Sequence, residues 1–69
     1  MAFRFRLHGK GLRHSWEKEC RPEVAIVHVT QVAREYAKDR LYEGTVIQVV
    51  DNEGNDVTAV PIPVDIARG

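Results

Sequence analysis

Arg4, Arg6 and His8 recur at every second position, and Lys10 and Arg13 follow close behind. Alternate side chains of an extended chain share a face. These residues therefore make a basic ribbon, with Lys10 at the tip of a turn and Arg13 joining if the strand register allows. The chemistry open to such a ribbon is electrostatic. It could follow a phosphate backbone, the main source of nucleic-acid affinity, or bind another anion. The same spacing suits a solvated sheet face whose charges keep it soluble and guard its edge. A formal net charge of zero weighs against the first use, and no recognised nucleic-acid motif accompanies the ribbon.

His8, His14 and His28 with Cys20 are the one transition-metal donor set. Their spacings match no compact zinc pattern and no second cysteine is present, so neither a metal nor a cofactor is expected. His14 is placed on the sheet face and His28 on the helix surface. Ser15 beside His14 is not a catalytic pair, because neighbouring strand residues point to opposite faces. Cys20 precedes a helix start, which can lower a thiol pKa. With no base placed beside it, an inert buried thiol is the expectation. Gly9-Lys10-Gly11 is too short for a phosphate loop and lacks its Lys-Ser/Thr ending. The chain reads as a non-enzyme.

The elements that must position these residues are legible from period and punctuation. Phe3, Phe5 and Leu7 alternate with Arg4, Arg6 and His8, predicting a half-buried strand over residues 2–8. Gly9-Lys10-Gly11 supplies a tight reversal. Leu12, His14 and Trp16 alternate with Arg13, Ser15 and Glu17 in a second, paired strand, where Trp16 would bury the largest apolar surface. Thr45–Val50 and Val57–Val60 flank a dense turn cluster, Asp51 to Asp56, with Gly54 available for a positive φ. Pro61 and Pro63 end this second hairpin.

Between the hairpins lies one long helix, from Pro22 to about Glu43. Pro22 suits a first helical position, Glu23 favours the helix N-terminus, and Gly44 is placed for a left-handed C-cap. Ile26, Val29, Ala33, Tyr36, Ala37 and Leu41 form the predicted apolar stripe. The β-branched run Val24–Val32 would also suit a strand, but one apolar on both faces with no turn after it. The helix is therefore preferred. Val24 and Val27 fall off the stripe. Either the sheet or tail covers them, or the first turn is distorted, or they form an apolar patch for a second subunit. A helix over residues 22–43 would span about 33 Å, more than a strand of about 17–20 Å, and its overhang would hint at a partner.

The order strand-strand-helix-strand-strand predicts a two-layer α+β domain over residues 1–63, a mostly antiparallel four-stranded sheet with one helix on one face. Residues 64–69 read as a loose tail. At 69 residues a single core supplies only about 3–5 kcal/mol. The lone Cys20 excludes an internal disulfide, so a homodimer is the expected support. No apolar run reaches the roughly 18 residues of a membrane span, and the opening residues lack a signal-peptide core. A cytoplasmic chain without membrane contact is expected. Residues 1–22 carry six basic side chains against two acids, a formal +4, while residues 23–69 carry four against eight, a formal −4. Basic hairpin could thus meet acidic turn (Asp51, Glu53, Asp56) between subunits, or the two could neutralise each other within one chain.

Three features are similar to a group of short, uncharacterised domains of rhizobia and related bacteria. They are the opening Phe3-Arg4-Phe5 strand, the central Ala33-Arg34-Glu35-Tyr36-Ala37 helix, and the Asp51-Asn52-Glu53-Gly54 turn followed by Val57 to Pro61-Ile62. Together they cover most of the chain, though each is generic. Such domains favour an acidic residue with glycine at the first turn, where this chain has Gly9-Lys10-Gly11. The resemblance implies the β-β-α-β-β layout and no chemistry. The functional expectation is a small non-catalytic interaction or accessory module that self-associates and meets an unidentified protein partner. Its alternative is nucleic-acid binding through Arg4, Arg6, Lys10 and Arg13.

Overall fold

A computed structural model describes residues 1–63, and the expected tail at 64–69 lies outside them. Strand β1 (Ala2–Gly9) pairs with β2 (Leu12–Glu19), helix α1 (Pro22–Tyr36) follows, and β3 (Val46–Val50) pairs with β4 (Asp56–Pro61). All pairings are antiparallel, and the sheet order is β2-β1-β3-β4. This is the predicted α+β fold. The two hairpins join through β1 and β3, leaving β2 and β4 as edges among the described residues.

The period-two pattern decides which face is inside. Phe3, Phe5 and Leu7 of β1, with Ile47 and Val49 of β3, are buried beneath the helix. Ala25, Val29 and Ala33 of α1 complete the core with Ile62. Two small residues on the helix stripe let its backbone settle close to the aromatic floor of the sheet. Burial of Val29 also shows why the β-branched run is helical, since packing of one face outweighs intrinsic propensity.

The stripe differs from the predicted one. Ile26 remains 41% exposed and Leu41 57%, so the helix is rotated to present Ala25 in place of Ile26. It also ends earlier, at Tyr36. The Lys38 and Asp39 amides bond back to Glu35 and Tyr36 at three-residue spacing, and Asp39 itself is extended, with φ −114° and ψ 121°. Its carboxylate accepts the Leu41 amide at 3.0 Å and opens a 3-10 turn over Arg40–Tyr42. A short polar side chain that bonds nearby backbone competes with the helix here. Tyr42 then stacks on Tyr36 with ring centroids 4.4 Å apart. At 15 residues the helix is about 22 Å long, so the expected overhang disappears.

Gly44 takes the expected positive φ of 79°, but after the 3-10 turn and not as the cap of α1. Its amide bonds the Ile62 carbonyl, and the Ile62 amide bonds Thr45. Pairing thus runs past Pro61, and Ile62 joins the core. At the hairpin tip, a Cβ on Gly9 would lie 3.1 Å from the Thr45 Cα, and its φ is +128°. Only glycine suits that close approach.

Candidate functional site

The strand register assembles the basic ribbon. His8 stands opposite Arg13, Arg6 opposite Ser15, and Arg4 opposite Glu17. On the other side of β1, Arg4, Arg6 and His8 face Val50, Gln48 and Val46. Arg4, Arg6, His8 and Arg13 therefore share the sheet face that, among the described residues, no helix covers. Their environments differ. Arg4 is bound to the Glu17 carboxylate at 2.6 Å, whereas Arg6 and Arg13 have no carboxylate partner among the described residues. A solvent-open depression of about 450 Å³ lies between them, lined also by His8, Ser15 and Gln48. Lys10 sits at the hairpin tip with φ 53°. The face carries aliphatic Val46 and Val50 and the His8 imidazole, whereas every Phe, Trp and Tyr lies elsewhere. It has charge for an anion but, beyond the His8 imidazole, no ring on which bases would stack.

The aromatic residues gather on the opposite side, at the seam between β2 and α1. Trp16 stacks on Phe5 at 5.4 Å between centroids. Its indole N–H donates to His28 Nε2 at 3.1 Å. That bond requires a neutral imidazole lone pair. Burial, and secondly the nearby Lys18 ammonium, push the His28 pKa below its usual value and keep that lone pair free. His28 thus departs from the helix-surface position expected of it. It is half-buried, and its edge meets Phe5. His14 lies 5.5 Å from Trp16 by ring centroids and stays exposed. Nothing local in the sequence links Trp16 to His28, twelve residues away.

Cys20 is a half-buried free thiol, its amide bonded to the Met1 carbonyl at 2.9 Å. Among the described residues no three His, Cys, Asp or Glu side chains converge as metal ligands. Ser15 and His14 point to opposite faces of β2, as the register requires. No helix among the described residues is long and apolar enough to cross a membrane.

Two further exposed surfaces stand out among the described residues. Val24 and Val27, the off-stripe valines, are exposed at 44% and 54%, with Ile26 beside them on the first two turns of α1. The other is the outer edge of β2. Its phase follows from the hairpin. Lys10 and Gly11, with φ 53° and 76°, form the two-residue loop. The closing pair Gly9–Leu12 of such a loop exchanges both backbone bonds. The bonded pairs then alternate through Leu7–His14, Phe5–Trp16 and Phe3–Lys18, and the Cys20-to-Met1 bond continues the series. Arg13, Ser15, Glu17 and Glu19 therefore turn their N–H and C=O groups outward. No family model, curated protein or solved structure matches the chain. Function must be read from these surfaces.

Proposed function

We propose that this chain is a small non-catalytic interaction module that self-associates. The observation that carries the reading is the contrast between the two sheet edges. Edge β4 is interrupted, since its register slips between Val49 and Val50, and Pro61 occupies an outward position with no N–H to offer. Such bulges and prolines blunt an edge. Edge β2 has eight residues, a continuous register and neither device. An unpaired edge of that length is a template for another strand. The aliphatic patch of Val24, Ile26 and Val27 gives a protein partner a second place to dock. Sedimentation velocity over a concentration series tests this. Growth of a dimer that persists as salt is raised is the expected result, and a monomer throughout overturns it.

A second reading is favoured by one observation, the convergence of Arg6, Arg13 and His8 on the uncovered face. Through these and Lys10 the module would hold a phosphate backbone without reading bases. Amide-resolved titration with mixed DNA and RNA oligonucleotides separates the two. Shifts confined to residues 4–13 that fade with salt support nucleic acid, and a spectrum unmoved at low salt removes it.

A further inference from the structure

Self-association, if it uses the β2 edge, has few registers to choose from. We propose that β2 of one copy pairs antiparallel with β2 of a second copy about a two-fold axis at Ser15, giving one continuous eight-stranded sheet. The inference rests on the self-association reading and names its interface.

The edge chemistry selects this register. Outward-turned residues must meet outward-turned residues, so the odd-numbered positions of β2 pair only with odd-numbered positions of the second copy. Pairing about Ser15 sets Ser15 against Ser15 and Arg13 against Glu17 of the second copy, twice by symmetry. Each of these pairs exchanges both backbone bonds. Glu17, already held by Arg4 in its own chain, then lies between two guanidinium groups in the cross-sheet row Arg4, Glu17, Arg13. Opposite charges directly across a ladder are favourable, and like charges are not. On the other face, His14 falls opposite Trp16 of the second copy and extends the stack that Trp16 makes with Phe5.

The neighbouring registers fit less well. Pairing about Glu17 sets two carboxylates face to face. Pairing about Trp16 leaves Glu17 opposite Ser15, puts Lys18 against His14, and spends Arg13 on Glu19, which already holds the N-terminal ammonium at 3.2 Å. Pairing about His14 leaves both charges of the ribbon opposite serine or glycine. The charges of β2 therefore admit this one alignment and discourage others, which is how an edge can be both guarded and specific.

Charge reversal tests the register. Arg13→Glu sets acid against acid, and Glu17→Arg sets base against base. Each variant alone should weaken the dimer by at least about tenfold, since two symmetry-related pairs reverse together. An equimolar mixture of the two variants should dimerise again. In the mixed dimer the introduced glutamate of one chain meets the introduced arginine of the other, and the unaltered Glu17 meets the unaltered Arg13. Circular dichroism establishes that each variant is folded, and sedimentation velocity reads the association. Restoration on mixing supports the register. If wild type dimerises while neither reversal weakens it, or mixing restores nothing, this interface is wrong though self-association stands. Dissociation by Val24→Lys with Val27→Lys alone would then place contact on the helix. A wild type monomeric up to about millimolar protomer overturns both the interface and the reading beneath it.

Discussion

Val29→Ala should cost far more than Ile26→Ala, although the two residues are three apart and differ by one methylene. Val29 is fully buried at the centre of the helix stripe. Removing its two methyl groups forfeits about 1.6 kcal/mol of transfer free energy at roughly 0.8 kcal/mol per group. The cavity left in the core adds to this, while alanine's better helix propensity returns about 0.5 kcal/mol. The net loss is about 1.5–2.5 kcal/mol, near half of what a core this small supplies. Ile26 keeps 41% of its surface in water, and its smaller loss is largely offset by propensity, leaving about 0–1 kcal/mol. Urea unfolding followed by the fluorescence of Trp16, the one tryptophan, reads both. It should be run dilute, where association contributes nothing. An Ile26→Ala loss equal to or above that of Val29→Ala would refute the helix phase described here.

Three further outcomes follow from named contacts. Lys10 holds a left-handed φ that costs an L-residue about 1–2 kcal/mol, so Lys10→Asn, which suits that position of the hairpin loop, should stabilise by about 0.5–1 kcal/mol in thermal melts. Protonation of His28 breaks its bond to Trp16, and its folded pKa lies below the ordinary value of 6.5. The unfolded chain thus binds that proton more readily. Stability is full above pH 6.5 and falls as pH drops through the folded pKa, and His28→Leu should flatten this part of the profile in urea melts. The Asp51 carboxylate accepts the Glu53 and Asn55 amides at 2.9 Å each, the second chief among the bonds that lower its pKa. Its contribution is present above pH 3.8 and lost as pH falls through the depressed value. Asp51→Ala should remove that acid-range loss and loosen the β3–β4 turn, seen as faster Gly54 amide exchange.

What the sequence made legible, and what it hid, has a physical basis. Both hairpins were plain because alternation of Phe3, Phe5 and Leu7 with charges is a period-two signal carried by every residue. The helix start was plain because Pro22 and Glu23 act locally. Its phase was not. Ala25 and Ile26 are both apolar, and only the packing of the helix on the sheet makes the smaller residue the buried one. The helix end was obscured by Asp39, whose side chain competes with the α-helical bonds, while Tyr36 and Tyr42 fold the chain back on itself. Ile62 continues the inward alternation of Thr58 and Val60 beyond Pro61, a pattern the proline disguises. Of the candidate site, the basic face was legible as far as Arg4, Arg6 and His8, and Arg13 needed the register. The Trp16–His28 bond and the unequal guarding of the two edges depend on tertiary pairing, which no local pattern encodes.

Amide hydrogen exchange at β2, measured across a protomer concentration series, distinguishes a free edge from one that joins two copies. Arg13, Ser15 and Glu17 turn their N–H groups away from β1, so in a lone chain they exchange fast while His14 and Trp16 are protected. Association through this edge predicts that the three fast amides slow together as concentration rises. If they stay fast while the chain dimerises, the β2 edge is not the surface that joins two copies.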